Sequence, residues 1–154
     1  MSNARIISKH ASISVDSSGN VGIGTTSPLV KSHIAGDTLS TGVRFFKQNT
    51  PIAKTAAATL TPAELLNGVI TYNGTTATFT LPTGADMDAA ILGGNLPIDT
   101  AFEFSIVAFS TSNTVTLVAS TGMTILAGVN TTALATSTFR VRKTAANTFT
   151  VYKV

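Results

Sequence analysis

Few side chains in this sequence could do chemistry, and their spacing keeps them apart. The two histidines, His10 and His33, lie far from each other and neither has a second ligand nearby. A protein metal site needs several convergent His, Cys or carboxylate ligands, so no metal is expected. The one exception would be an ion held on a threefold axis by three copies of a single His. Asp86 and Asp88 are one residue apart, and on a helix they would point in different directions instead of forming an acid/base pair. Asp86 suits the positive start of a short helix. Asp99 and Glu103 flank Phe102 in a strand pattern. Glycoside hydrolysis needs two carboxylates facing across a sugar cleft, and a chain with seven acidic residues and no Trp offers little to build one. The run Gly19-Asn20-Val21-Gly22-Ile23-Gly24 is glycine-spaced, but Thr25-Thr26 follows where a phosphate loop needs Gly-Lys-Ser/Thr. No Gly-x-Ser-x-Gly element is present, and the absence of cysteine excludes disulfides, thiolate metal sites and cysteine nucleophiles. The sequence therefore predicts neither an enzyme nor a cofactor.

Arg140, Arg142 and Lys143 form the one tight basic group. Arg140 and Arg142 alternate with Val141 and would share a strand face, read as a solvated or subunit-facing edge, since charges commonly protect strand edges. The net charge is +3, but the other basic residues are scattered and only two Tyr are available for base stacking. A nucleic-acid partner is not expected.

The elements that would position these residues are mostly strands. Ile13-Ser14-Val15 and Val21-Gly22-Ile23 place apolar residues two apart, and Ser17-Ser18-Gly19-Asn20 between them is a turn cluster, which predicts a small hairpin. Ser27-Pro28 closes it. Lys31 to Ile34 could form one further strand or a helical turn, and Val43-Arg44-Phe45-Phe46-Lys47 reads as the best strand of this region. Ala53 to Ala58 reads as a small-residue connector. Thr61-Pro62-Ala63-Glu64 is a capping box with Pro at the first helical position, and Gly68 would end that short helix. Val69 to Tyr72 and Ala77 to Leu81 flank Asn73-Gly74, the strongest short hairpin signal. A second short helix is predicted over Asp86 to Ile91. Strands follow at Phe102–Phe109, Val115–Val118, Thr124–Leu126, Ser137–Arg142 and Phe149–Lys153, with turn signals at the spacing of a sandwich or jelly roll. Phe79, Leu81, Phe102, Phe104, Ile106, Leu117, Phe139, Val141 and Val151 form the predicted core. Phe45, Phe46 and Tyr72 are the aromatic residues left outside those core strands.

Charged residues are only 11% of the 154, against 44% hydrophobic, where soluble domains usually carry about 25% charged residues. A membrane or a surface covered by partner subunits would tolerate so few. No apolar run approaches the roughly eighteen residues of a spanning helix, so covered surface is the better explanation. The first residues lack an apolar stretch of signal-peptide length, which predicts assembly in a cytoplasm. The glycine-rich stretch has almost nothing to bury and loses much backbone entropy on ordering. It needs strands from elsewhere, and sister chains are the nearest source.

Gly19 to Pro28 reads Gly-Asn-Val-Gly-Ile-Gly-Thr-Thr-Ser-Pro. It resembles an element of tail fibres, spikes and other trimeric β-structured proteins of bacteriophages. The longer part, from Thr59-Leu60-Thr61-Pro62-Ala63-Glu64-Leu65-Leu66-Asn67-Gly68 through Leu81-Pro82-Thr83-Gly84 to Phe139-Arg140-Val141-Arg142-Lys143 and Tyr152-Lys153, is similar to a β-domain recurring in structural proteins of phages and large algal viruses. The resemblance implies a virion structural protein assembled in the host cytoplasm and forming a homotrimer. The modest length favours a capsid decoration (cement) protein bound to the major capsid protein or another virion protein. The glycine element keeps a small tail or head fibre for host attachment, with a glycan as its candidate ligand, as the alternative.

The expected architecture is all-β: an extended N-terminal arm over 1–55, then a jelly-roll-like β-sandwich with one or two short helices over 56–154. Val15, Val21, Gly22, Ile23, Gly24, Thr25, Pro28, Phe45 and Phe46 are the expected capsid or subunit contacts of the arm, by backbone pairing of the β-augmentation kind.

Overall fold

Alternating apolar residues, frequent Thr and short polar turns give strands throughout the chain, and a computed structural model describes residues 13–43, 45, 47–126 and 128–154. Two compact units divide it, Met1–Phe46 and Lys47–Val154. The structure is mostly β, in several sheets.

The first unit holds β1 (Ile13–Val15), β2 (Val21–Ile23) and β3 (Ser32–Ile34) in one sheet of that order. The predicted hairpin is present: β1 and β2 pair antiparallel, with Val15 opposite Val21 and Ile13 opposite Ile23. Lys31 to Ile34, left open between strand and helical turn, supplies β3, parallel to β2. The strand predicted over Val43 to Lys47 is described only in part. Val43, Phe45 and Lys47 lie outside regular structure, and Arg44 and Phe46 fall outside the described residues. A strand pattern becomes a strand only where another edge accepts its backbone groups, and no described strand lies beside it.

The second unit contains β4 (Ile52–Lys54), β5 (Ala58–Thr59), α1 (Pro62–Leu66), β6 (Val69–Tyr72), β7 (Ala77–Thr80), α2 (Gly84–Ala90), β8 (Ala101–Ala108), β9 (Thr114–Val118), β10 (Met123–Leu126), β11 (Asn130–Thr132), β12 (Ala135–Ala145) and β13 (Thr148–Lys153). A six-stranded sheet runs β10-β13-β12-β8-β6-β4 and a four-stranded sheet runs β11-β9-β7-β5. The chain steps from the first sheet to the second in each of the pairs β4/β5, β6/β7 and β8/β9. The segments containing α1 and α2 return it, so β4, β6 and β8 are parallel, as are β5, β7 and β9. Parallel neighbours require such crossovers. The large sheet is therefore mixed, antiparallel over β13-β12-β8 and parallel over β8-β6-β4 and β10-β13, where a jelly roll would be antiparallel throughout. Ala53 to Ala58, read from its small residues as a connector, contributes β4 and the start of β5.

Asn73-Gly74 does not close a hairpin, because β6 and β7 belong to different sheets. Burial decides this. Tyr72 and Phe79 are both fully buried and meet edge-to-face across the sandwich, with ring centroids 5.4 Å apart. Paired in one sheet, these neighbouring strands could not bring the two rings together from opposite layers. The Tyr72 hydroxyl donates to the Thr75 carbonyl at 2.6 Å and Asn73 N–H donates to the Lys54 carbonyl at 3.1 Å. Gly74 is required at this corner because a Cβ there would collide with the Thr55 carbonyl and the Tyr72 ring.

The core fills the space between the two sheets. Phe104 stacks on Phe139 with centroids 5.3 Å apart, and Ile70, Ile106, Leu117, Val141, Phe149 and Val151 surround them. The predicted core residues are buried, except Phe102, which is half-buried at its margin. Tyr72, set aside in the sequence as a surface aromatic, is a core residue. α1 carries the predicted capping box: the Thr61 side chain accepts from Glu64 N–H while the Glu64 carboxylate accepts from Thr61 N–H at 2.9 Å.

Candidate assembly surface

The turn joining β1 to β2 is built by one carboxylate. Asp16 accepts from Ser18 N–H at 2.9 Å, from Asn20 N–H at 2.8 Å and from the Asn20 carboxamide at 2.9 Å. The Asn20 backbone N–H, foremost among these donors, holds the Asp16 carboxyl below the ordinary aspartate range. Gly19 takes the positive φ of 72° that the turn needs, and Lys31 Nζ reaches across to the Ser18 carbonyl at 2.6 Å.

The two faces of this small sheet differ completely. Strand alternation and register place Ser14, Gly22 and His33 side by side on one face. The segment after β2 folds under it. Ser14 Oγ donates to the Thr25 carbonyl at 2.6 Å, and Leu29 N–H approaches His33 Nδ1 at 3.4 Å. Gly22 is buried against Thr25, leaving no room for a Cβ. Gly24 combines a φ of 74° with close approach to the Ala35 carbonyl. Pro28 is also buried within this fold-back.

The opposite face carries Ile13, Val15, Val21, Ile23, Ser32 and Ile34. Ile13, Ile23 and Ile34 stand in a row across the three strands, beside the opposed pair Val15 and Val21. None of these side chains is charged, and every large one except Val21 is exposed. Phe45, further along, is 92% exposed. The structure thus brings Val15, Val21 and Ile23 together on one bare face and uses Gly22, Gly24, Thr25 and Pro28 to shape the other. Phe46 lies outside the described residues.

Among the described residues the second unit holds four ion pairs, one of them between Lys54 and Glu64 with Nζ and Oε1 2.5 Å apart. On the outer face of the large sheet, Arg140 donates twice to Glu103, at 2.9 and 2.6 Å, and Arg142 pairs with Asp99. The Tyr152 side chain and then Asp99 hold the Arg142 guanidinium even more firmly protonated than usual. With both guanidiniums paired, this is not a free basic strip. Lys143 leaves their group: its parity matches Phe139 and Val141, so it points inward. It is 5% exposed and its Nζ lies 2.5 Å from Asp88 Oδ1 and 2.8 Å from the Leu96 carbonyl. Asn147 N–H supplies the other Asp88 oxygen at 2.9 Å. The Lys143 ammonium, then Asn147, hold the Asp88 carboxyl below its usual range. This buried pair went unnoticed in the sequence, although the alternation Phe139, Val141, Lys143 signalled it. It ties α2 to β12 and faces no cleft, so its role is structural.

An open groove of about 790 Å³ is lined by Leu60, Pro62, Thr83, Asp86 and Ser120 among others. Asp86 is occupied as the acceptor of the Thr83 hydroxyl at 2.6 Å, capping α2. Asp86 is the one ionisable residue in the lining, the other polar side chains there are Ser and Thr hydroxyls, and Ser120 Oγ donates to the Pro82 carbonyl at 2.6 Å. No group of three His, Cys, Asp or Glu that could hold a metal occurs among the described residues, and His10 lies outside them. No helix among the described residues is long and apolar enough to cross a membrane. No family model matches the chain, and neither the curated proteins nor the solved structures compared with it include a match.

Proposed function

We propose that this chain is a virion structural protein, a homotrimeric capsid decoration protein that binds the shell formed by a major capsid protein. The observation that carries this reading is the uncharged apolar face of the N-terminal sheet. Three strands of three residues cannot remain ordered in water with Ile13, Val15, Ile23 and Ile34 bare. They need a large, repeating protein surface, and the resemblance of Gly19 to Pro28 to a phage fibre element names the kind of particle. β1 and β3, the outer strands of this sheet among the described residues, add backbone donors and acceptors for pairing with a neighbour's strands. The second unit, with its own core, would stand above the shell.

The test is stoichiometric. Purified particles, stained for protein after separation, should carry this chain at hundreds of copies, and the purified chain should bind particles that lack it. A handful of copies at one vertex or on the tail would replace this reading with the second one, a small tail or head fibre. The glycine element itself favours that alternative, and Phe45 is the exposed aromatic there that could meet a glycan. A glycan array with the full chain addresses it directly.

A further inference from the structure

The parallel ladders of the second unit are closed on one side and open on the other. β8 is covered by β12 and β9 by β11. On the far side β4 and β5 are both terminal, with no further described strand beside either. The Lys54 carbonyl accepts from Asn73 N–H and so faces β6. Strand alternation then turns the N–H and C=O of Ala53 to the bare side. By the same logic Leu60 N–H donates to the Thr80 carbonyl, and Thr59 faces outward. Side chains record the same vacancy. Ile52, Ile70 and Ile106 are in register across β4, β6 and β8. Ile106 and Ile70 are fully buried, whereas Ile52 is only half-buried. A neighbour suited to this edge would be an extended segment with large apolar residues turned to one side.

The chain contains one. Leu39, Val43 and Phe45, with Thr41 between the first two, share the odd positions that an extended backbone turns to one side. The three apolar residues lie outside regular structure and are 90%, 80% and 92% exposed, and Arg44 falls outside the described residues. We propose that the stretch carrying Leu39, Val43 and Phe45 from a second copy of this chain adds to β4 as the next strand, its apolar side continuing the row Ile106, Ile70, Ile52. Each copy offers this donor and the β4 edge, and a head-to-tail exchange whose rotation closes makes a ring. The proposal rests on the homotrimer reading and assigns the contact that closes the trimer.

The experiment measures the mass of the full chain by sedimentation or native mass spectrometry, for the wild type, Phe45→Asp and Ala53→Pro. Proline is tolerated on an edge strand where the N–H faces outward, so Ala53→Pro blocks the edge without removing a β4–β6 bond. The wild type should be a trimer of the 15.8 kDa chain, and each variant should become a monomer with unchanged melting. Trimers persisting in both variants overturn the strand exchange and leave the homotrimer standing, while a monomeric wild type overturns both. Variants that stay trimeric but no longer attach to particles would make the shell the occupant of the edge, which also overturns the proposal. As a second measurement, a fluorescent peptide of residues 37–47 should bind the Phe45→Asp chain, whose edge is vacant. A scrambled peptide should bind at least tenfold more weakly, and equal binding of the two counts against the exchange.

Discussion

The two units of this protein are ordered by different physics. Every member of the hydrophobic core lies in the second unit, where aromatic and branched side chains from two sheets interlock. None of the described residues of the first unit belongs to that core. Its order comes from Asp16 gathering three N–H donors, from Ser14 and Lys31 reaching backbone carbonyls, and from two glycines that let strands and loops approach within side-chain distance. A core stabilises its unit wherever the chain is. A polar turn beneath a bare apolar face leaves its unit dependent on what covers that face. The difference separates a unit with a core of its own from one that, on the proposed function, is completed by assembly.

That contrast can be broken most forcefully inside the core. Phe104→Ala removes a fully buried ring stacked on Phe139, and should cost roughly 3–5 kcal/mol in denaturant unfolding of the second unit. A near-neutral result would mean that the core is not what holds this unit.

Almost as large is the effect of Asp88→Ala, which strands the Lys143 ammonium in the interior at a cost of about 3–5 kcal/mol. The double variant Asp88→Leu/Lys143→Met should recover most of that loss. The pair also sets a pH dependence. Asp88 has a folded pKa below its unfolded value, so its contribution is fully present above the ordinary aspartate range and is lost as pH falls through the depressed folded value. Melting scans from neutral to strongly acid pH should show that loss in the wild type and a smaller one in the double variant.

Thr61→Ala tests a local term. It breaks the capping box of α1 and should cost about 1 kcal/mol, read in the same unfolding experiment.

The smallest expected effect on the second unit sharpens the comparison best. Gly24→Val puts a branched side chain at a positive φ against the Ala35 carbonyl. It should leave the melting of the second unit unchanged while weakening attachment to particles. Deleting residues 1–36 should do the same more completely. Full occupancy of particles by the truncated chain would place the binding surface in the second unit.

Much of this arrangement was legible in the sequence wherever a residue's role is local. The Ser17–Asn20 turn, the Thr61 capping box and the strands around Phe104, Phe139 and Val151 follow from neighbours a few residues away. What the sequence hid was partnership. Asn73-Gly74 carries the same local signal whether the flanking strands pair or cross to another sheet, and only the mutual burial of Tyr72 and Phe79 decides. Val43 and Phe45 have strand spacing but no described strand to join. Lys143 looked like one of a basic trio until the parity of β12 put it beside Phe139 and Val141. The apolar face of the first unit was partly readable, since Ile13, Val15, Val21 and Ile23 alternate. Its third member, Ile34, needed the parallel pairing of β3.

The position of β13 carries a consequence for how the protein comes into being. Residues 148–153 lie between β10 and β12, within the large sheet and not at its rim. The hairpin of β12 and β13 is also the one ladder in the second unit that joins described strands consecutive along the chain. All the other ladders there close wide loops, which slows their formation. During synthesis β4 and β5 therefore each leave the ribosome before the strand they pair with, and β6 leaves before β8. β10 also waits, because its neighbour in the sheet is β13, and the large sheet is complete only when β13 has taken its place between β10 and β12.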